Sequence, residues 1–210
     1  MAPDPDPDAD QSVDQAVIHL FALVSEALGG ATHALLGGDV EVAQMVIDRD
    51  PTIDELVGRT EALIWERIDT GAARPQDLRR LVGGLLILPE LERSADLAEH
   101  VAQRARAGVG GDMTPLSRGI VQRMTEVGVD MWQTVADAYR DRTHQSIALD
   151  EADEEMDILH RRLTAEVANG TMTTGTAAQV TLLARFYERL GDHAVNLARR
   201  VSAQHPASSP

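Results

Sequence analysis

The sequence contains no cysteine, and all 19 of its basic residues are arginine. Without cysteine there is neither a disulfide framework nor a thiolate metal site. Without lysine there is no phosphate loop of the Gly-x-x-x-x-Gly-Lys-Ser/Thr kind, so nucleotide hydrolysis by that device is excluded. Aromatic residues make up only 3% of the chain, which leaves a core of Ala, Leu, Val, Ile and Met. Ala, Leu and Met are strong helix formers. No uninterrupted apolar run reaches the ~18 residues of a membrane span. The start, Met1-Ala2-Pro3-Asp4-Pro5-Asp6, has neither a basic region nor an apolar stretch, so no secretory signal is expected and the protein is expected in the cytoplasm.

What is present is acid. The 34 Asp and Glu residues give a net charge of −15 over 210 residues. Such a surface repels phosphate backbones and argues against direct nucleic-acid binding. It suits cations or a basic partner, and it also serves solubility. Hydrophobic residues reach 43%, enough for one full domain or two packed repeats.

Along the chain, residues 1–11 alternate Pro and Asp and are expected to be disordered; residues 204–210 are expected to form a flexible tail. Between them apolar residues recur at helical spacing, as in Val13, Val17, Leu20, Phe21, Val24 and Leu28. Gly37-Gly38 ends the first helix and Asp39 caps the next. Asp50-Pro51 reads as a further boundary, with a helix from about Thr52 to Asp69. Gly71 closes that helix, and Pro75 opens another to about Arg106. Gly108, Gly110 and Gly111 form a linker; beyond it Pro115, Asp150–Glu166 and Thr176–Ser202 mark three more helices.

The second half repeats the first. Leu91–Ala102 aligns with Tyr187–Ala198 at a constant offset of 96, with Glu, Arg, Asp and two Ala identical. Farther upstream, Asp50 with Asp150 and Leu56 with Met156 suggest an offset of 100, hence four extra residues in the first copy. The expected fold is all-α: two tandem three-helix bundles, residues 12–107 and 112–203, related by duplication.

Each third helix carries Glu-x-x-x-Asp, as Glu92 with Asp96 and Glu188 with Asp192. Residues four apart share a helix face, with Cβ atoms roughly 5–6 Å apart. His100 and Asn196 extend these faces by one turn. Carboxylates with an imidazole suit Fe or Zn, with Mn and Mg as further choices. Alone, the pattern is common on solvated faces; its recurrence at matched repeat positions makes Glu92, Asp96, Glu188 and Asp192 candidate metal ligands. The plain alternative is an interaction bundle in which these carboxylates are solvated or paired with Arg79, Arg80 or Arg185. Asp137, Asp141 and Asp153 are candidates to complete a site from other helices. His193, one position past Asp192, points off the ligand line and reads as a surface or interface residue. Arg93 and Arg189 read as partners of acids other than their neighbouring Glu. No Glu is followed by His three residues later, so a di-iron carboxylate enzyme is not indicated, and no catalytic residue is assigned.

These residues resemble a known family. Tyr187-Glu188-Arg189-Leu190-Gly191-Asp192-His193-Ala194-Val195-Asn196-Leu197-Ala198 is similar to the third helix of the PhoU family, as is Leu91–Ala102. Arg74-Pro75-Gln76-Asp77-Leu78-Arg79 resembles the family's lead-in, and Asp153–His160 the acidic start of its second helix. The likeness spans about residues 12–203. It departs at Ser94-Ala95, where Ile-Gly is usual, and at Thr173–Thr176, where the second copy lacks the lead-in. The resemblance implies two side-by-side three-helix bundles, metal bound through the acidic motifs in some members, and homodimers. It further implies a non-enzymatic negative regulator of phosphate uptake and phosphate-responsive signalling. The implied partners are the phosphate ABC transporter ATPase and the phosphate-sensing histidine kinase, with the membrane reached only through them.

Overall fold

The computed structural model describes residues 7–71, 75–143 and 146–204. Residues 1–6 of the acidic tail, Arg74, His144 and residues 205–210 lie outside them. Six long helices follow in order: α1 (Pro7–Gly37), α2 (Val40–Asp69), α3 (Pro75–Arg106), α4 (Pro115–Asp141), α5 (Ser146–Ala168) and α6 (Thr174–Gln204), with a 3₁₀ turn at Val109–Asp112. The first three pack mutually, as do the last three, and α1 against α4 and α3 against α6 join the two bundles.

Local chemistry sets most of the boundaries. Asp39 accepts from the Val42 amide at 3.0 Å and caps α2. Thr114 accepts from the Ser117 amide at 3.1 Å, with Pro115 directly behind it at the start of α4. Gly71 and Gly170 take positive φ (63° and 74°) just past α2 and α5, where a side chain would be strained. Two expectations are corrected. The Pro/Asp segment 1–11 was expected to be disordered throughout, but α1 begins at Pro7, since proline is pre-set for the first helical turn. And Asp50-Pro51 is no boundary: α2 runs through Pro51 unbroken. Proline forfeits one backbone hydrogen bond there, but Ala43 on one side and Ile53 and Val57 on the other are buried, and that packing holds the helix continuous.

The offset of 100 between the second helices is corrected too. Burial aligns Ile53 with Met156 and Thr60 with Leu163, all at most 2% exposed, at an offset of 103. At 100, buried Ile53 and Val57 would match Asp153 and Asp157. The first copy therefore carries seven extra residues, four in the C-terminal part of α2 and three at the start of α3. Each helix is lengthened by about one turn.

The core runs through both bundles. Trp132 of α4 is fully buried, lies 6.1 Å from the Phe21 ring of α1, and donates its indole N–H to the Leu190 carbonyl of α6 at 3.2 Å. Beside it, Thr32 (α1), Thr125 (α4) and Tyr187 (α6) form a buried hydroxyl chain with links of 2.5 and 3.0 Å. Tyr187→Phe should cost only about 1 kcal/mol by urea denaturation, because both threonines keep their bonds to the Leu28 and Val121 carbonyls. In the linker, a Cβ on Gly110 would fall 1.7 Å from the Leu35 carbonyl oxygen, so glycine is obligatory. Arg118 locks the same spot by donating to the Gly110 and Leu36 carbonyls. Ser12–Gly37 is long and apolar enough to cross a bilayer, but half of its most apolar window is buried against the rest of this fold.

Candidate metal centre

The two Glu-x-x-x-Asp motifs lie on α3 and α6, which pack antiparallel: Leu86 meets Arg200, Ser94 meets His193, and Phe186 meets Arg104. The motifs do not converge on one site. Each turns toward the second helix of its own bundle.

In the first bundle Asp96 meets α2. One carboxylate oxygen from each of Asp50, Asp54 and Asp96 lies within 4.8 Å of the other two. Glu92 and Glu99 border this cluster on α3. Like charge and burial act together here. Burial, then Asp54, Glu99, Asp96 and Glu92, push the Asp50 carboxyl up to about 7. Burial and then Asp54 raise both Glu92 and Asp96, the latter eased by His100 one turn on. Asp50 Oδ1 is buried without a hydrogen-bond partner, and so is Nδ1 of His100, whose ring stacks on Phe186 at 5.4 Å. A free carboxylate oxygen among three converging acids is a cost that a bound cation would remove. The all-oxygen set suits hard divalent cations, with His100 a nitrogen donor nearby. The residues present fit such an ion.

Asp50 and Asp54 were not singled out as ligands from the sequence. Four residues apart on α2, they carry the same period as the α3 motif, and that spacing was the available signal.

At the offset of 103 their counterparts are Asp153 and Asp157 on α5. Burial, then Asp157 and Asp192, raise Asp153; burial and then Asp192 raise Glu188. The second face thus gathers Asp153, Asp157, Glu188 and Asp192, with His160 near Glu188. It differs in one respect. Arg185 donates to both Glu188 carboxylate oxygens at 2.7 Å, supplying the countercharge from the protein itself. Among the described residues, only the first face meets the close three-ligand geometry.

Of the other acidic residues, Asp153 lies beside Asp157 and Asp192 on the second acidic face. Asp137 and Asp141 do not: both pair with Arg140, at 2.6 and 3.1 Å. Arg80 pairs with Asp14 at 2.8 Å rather than with a motif carboxylate. Arg93 bonds Glu90 at 3.3 Å, not Glu92. His193 is an interface residue. It is 7% exposed, and its Nδ1 lies 2.9 Å from Ser94 Oγ across the α3–α6 seam. Ser94 donates to the Glu90 carbonyl, so Nδ1 carries the hydrogen and donates to Ser94.

The Asp50 shift sets a pH prediction. Its folded value lies above its unfolded one, so the folded state holds the proton more tightly. Without added metal, stability is highest below about pH 4 as far as this group is concerned. It falls as pH rises toward 7, and the full cost is present above that. Asp50→Asn should remove the cost. Discounted for partial exposure, it should raise metal-free stability at pH 8 by about 1–2 kcal/mol by urea denaturation, and change it little at pH 4.

Comparison with known proteins decides the family. A profile of the PhoU domain matches residues 17–105 and again residues 121–201, one match to each bundle. The chain belongs to the PhoU family. A PhoU homologue of Mycobacterium tuberculosis, a phosphate-specific transport system accessory protein, is 33% identical over 195 residues, 91% of this chain and 92% of that one. A second homologue, from Mycobacterium leprae, is 32% identical over 202 residues, 94% of this chain and 91% of its own. The PhoU crystal structure from Pseudomonas aeruginosa superposes with a TM-score of 0.84 at 22% identity, covering 95% of this chain and 98% of that one. PhoU of Streptococcus pneumoniae gives 0.80 at 19%, with 95% and 96% coverage. The PhoU fold is thus shared along nearly the whole chain, and the two acidic faces lie on its duplicated helices.

Proposed function

We propose that this chain is a cytoplasmic, non-enzymatic negative regulator of phosphate uptake and phosphate-responsive two-component signalling. It acts by contact with the phosphate transporter ATPase and the sensor kinase. One observation carries the reading: both bundles match the PhoU domain, and relatives about one-third identical over nine-tenths of the chain are phosphate-specific transport system accessory proteins. The geometry supports it, since the chemistry-bearing groups are open helix faces suited to cations and partners. The first acidic face, Asp50, Asp54 and Asp96 with Glu92 beside them, would hold a hard divalent cation. The second, Glu188 and Asp192 with Asp153 and Asp157, would hold one less tightly because Arg185 already occupies Glu188.

As a contact regulator, the protein must bind one state of its partner more tightly than the other. Deleting the gene should raise phosphate uptake and switch on phosphate-regulated expression in phosphate-replete medium, and the parent gene should restore both. Unchanged uptake and expression in the deletion strain would sink the reading.

A further inference from the structure

A cavity of about 670 Å³ opens between α1 and the N-terminal half of α2, with α3 behind it. It lies in the range of built ligand and side-chain pockets. Its floor is apolar and backed by the core: Ala27, Val42, Val46 and Ile53 all pack on it. One apolar side chain of its lining has no cover: Met45 is 70% exposed, the highest figure among the exposed large apolar residues described. An isolated exposed apolar residue needs no explanation, but Met45 continues an apolar floor into solvent.

The charges around this opening are mostly acidic. Among the described residues, Glu26, Asp48, Asp50 and Glu99 line it, against the single cation Arg49. Arg49 is itself taken by Glu26 at 3.0 Å. Among the described residues, Asp48 and Glu99 accept from neutral Gln44 and Gln103 and form no direct ion pair, Arg106 reaching Asp48 only through Gln44. An apolar trough with an acidic rim has a specific complement: a helix with an apolar stripe bordered by arginine or lysine. Methionine at the mouth suits such a contact, because its unbranched, polarizable side chain adapts to different apolar partners.

We propose that the α1–α2 trough is a docking site for a basic amphipathic helix of a partner protein. Its apolar stripe would lie on Val42, Met45 and Val46, and its cationic side chains would reach Asp48 and Glu99. The site is distinct from the Asp54–Asp96 face, adjoins it at Asp50 and Glu99, and needs neither bound metal nor the phosphate role. It names the chemistry a partner must present, which the family membership does not.

The test uses the full chain, in chelator, and three synthetic labelled peptides of about 18 residues, read by fluorescence anisotropy. One carries leucines at helical spacing flanked by arginines. The second has the same composition in scrambled order. The third keeps the leucine stripe with glutamate for arginine. The first should bind at least tenfold tighter than either control, and its affinity should fall as salt rises. Met45→Asp, a change at an exposed position, should weaken it about tenfold. Glu99→Gln should weaken it severalfold and flatten the salt dependence. Equal binding of the scrambled peptide would mean that net charge alone attracts it and would overturn the proposal, as would unchanged affinity in both variants.

Discussion

Replacing Trp132 with alanine should lower the unfolding free energy by about 3–5 kcal/mol, the usual loss for a buried large aromatic. The site gives reasons to expect the upper half of that range. The indole is fully buried, it packs on Phe21, and its N–H donates to the Leu190 carbonyl, so one side chain on α4 reaches both α1 and α6. Truncation leaves a void at the seam between the bundles, where three helices would have to move together to fill it. For a chain of this size, each kcal/mol lowers the melting temperature by roughly 2–4 °C, so a fall of about 8–20 °C is expected. The internal control is Trp65→Ala. Trp65 is 48% exposed and bonds only Glu61 at 3.4 Å, so its loss should lie within about 0.5 kcal/mol. Urea denaturation of the two variants beside the parent measures both. If the two losses were equal, the seam would not be the shared core described here.

The contrast between the two tryptophans shows where the sequence is legible. Helical periodicity locates the six helices because their apolar faces are long. Asp39 and Gly71 mark ends because cap and turn chemistry is local. Pro51 misleads for the opposite reason: whether a proline ends a helix or sits inside one depends on packing either side of it, here by Ala43 and Ile53. That Trp132 bridges the bundles depends on how α4 meets α1 and α6, which periodicity along one helix does not reveal. The acidic motifs were legible on α3 and α6, but their partners were not. Finding Asp50 and Asp54 requires knowing which face of α2 meets Asp96. The offset of 100 pointed to Asp150, and only burial restores 103 and pairs Asp50 and Asp54 with Asp153 and Asp157.

That pairing leads to the largest expected effect of a ligand. At pH 7.5, a divalent cation such as Mn²⁺ at about a hundred times its dissociation constant should stabilise the parent by about 2.7 kcal/mol, since it binds the folded state alone. The stabilisation should be lost in Asp54→Asn/Asp96→Asn, which removes two of the three converging carboxylates. It should be largely kept in Glu188→Gln/Asp192→Asn, because Arg185 already pairs with Glu188 on the second face. Protonation competes with the cation. Asp50 titrates near 7, so the stabilisation should shrink as pH falls from 8 to 6, the direction opposite to the metal-free protein's own gain over that interval. Thermal melts at pH 8, 7 and 6 with and without Mn²⁺, beside elemental analysis of protein purified without a chelator, read out all of this. Equal loss in the two double variants would make the faces equivalent and deny Arg185 its role. No cation effect in the parent at any pH would leave Asp50, Asp54 and Asp96 as an uncompensated acidic surface whose cost the fold bears for some other contact.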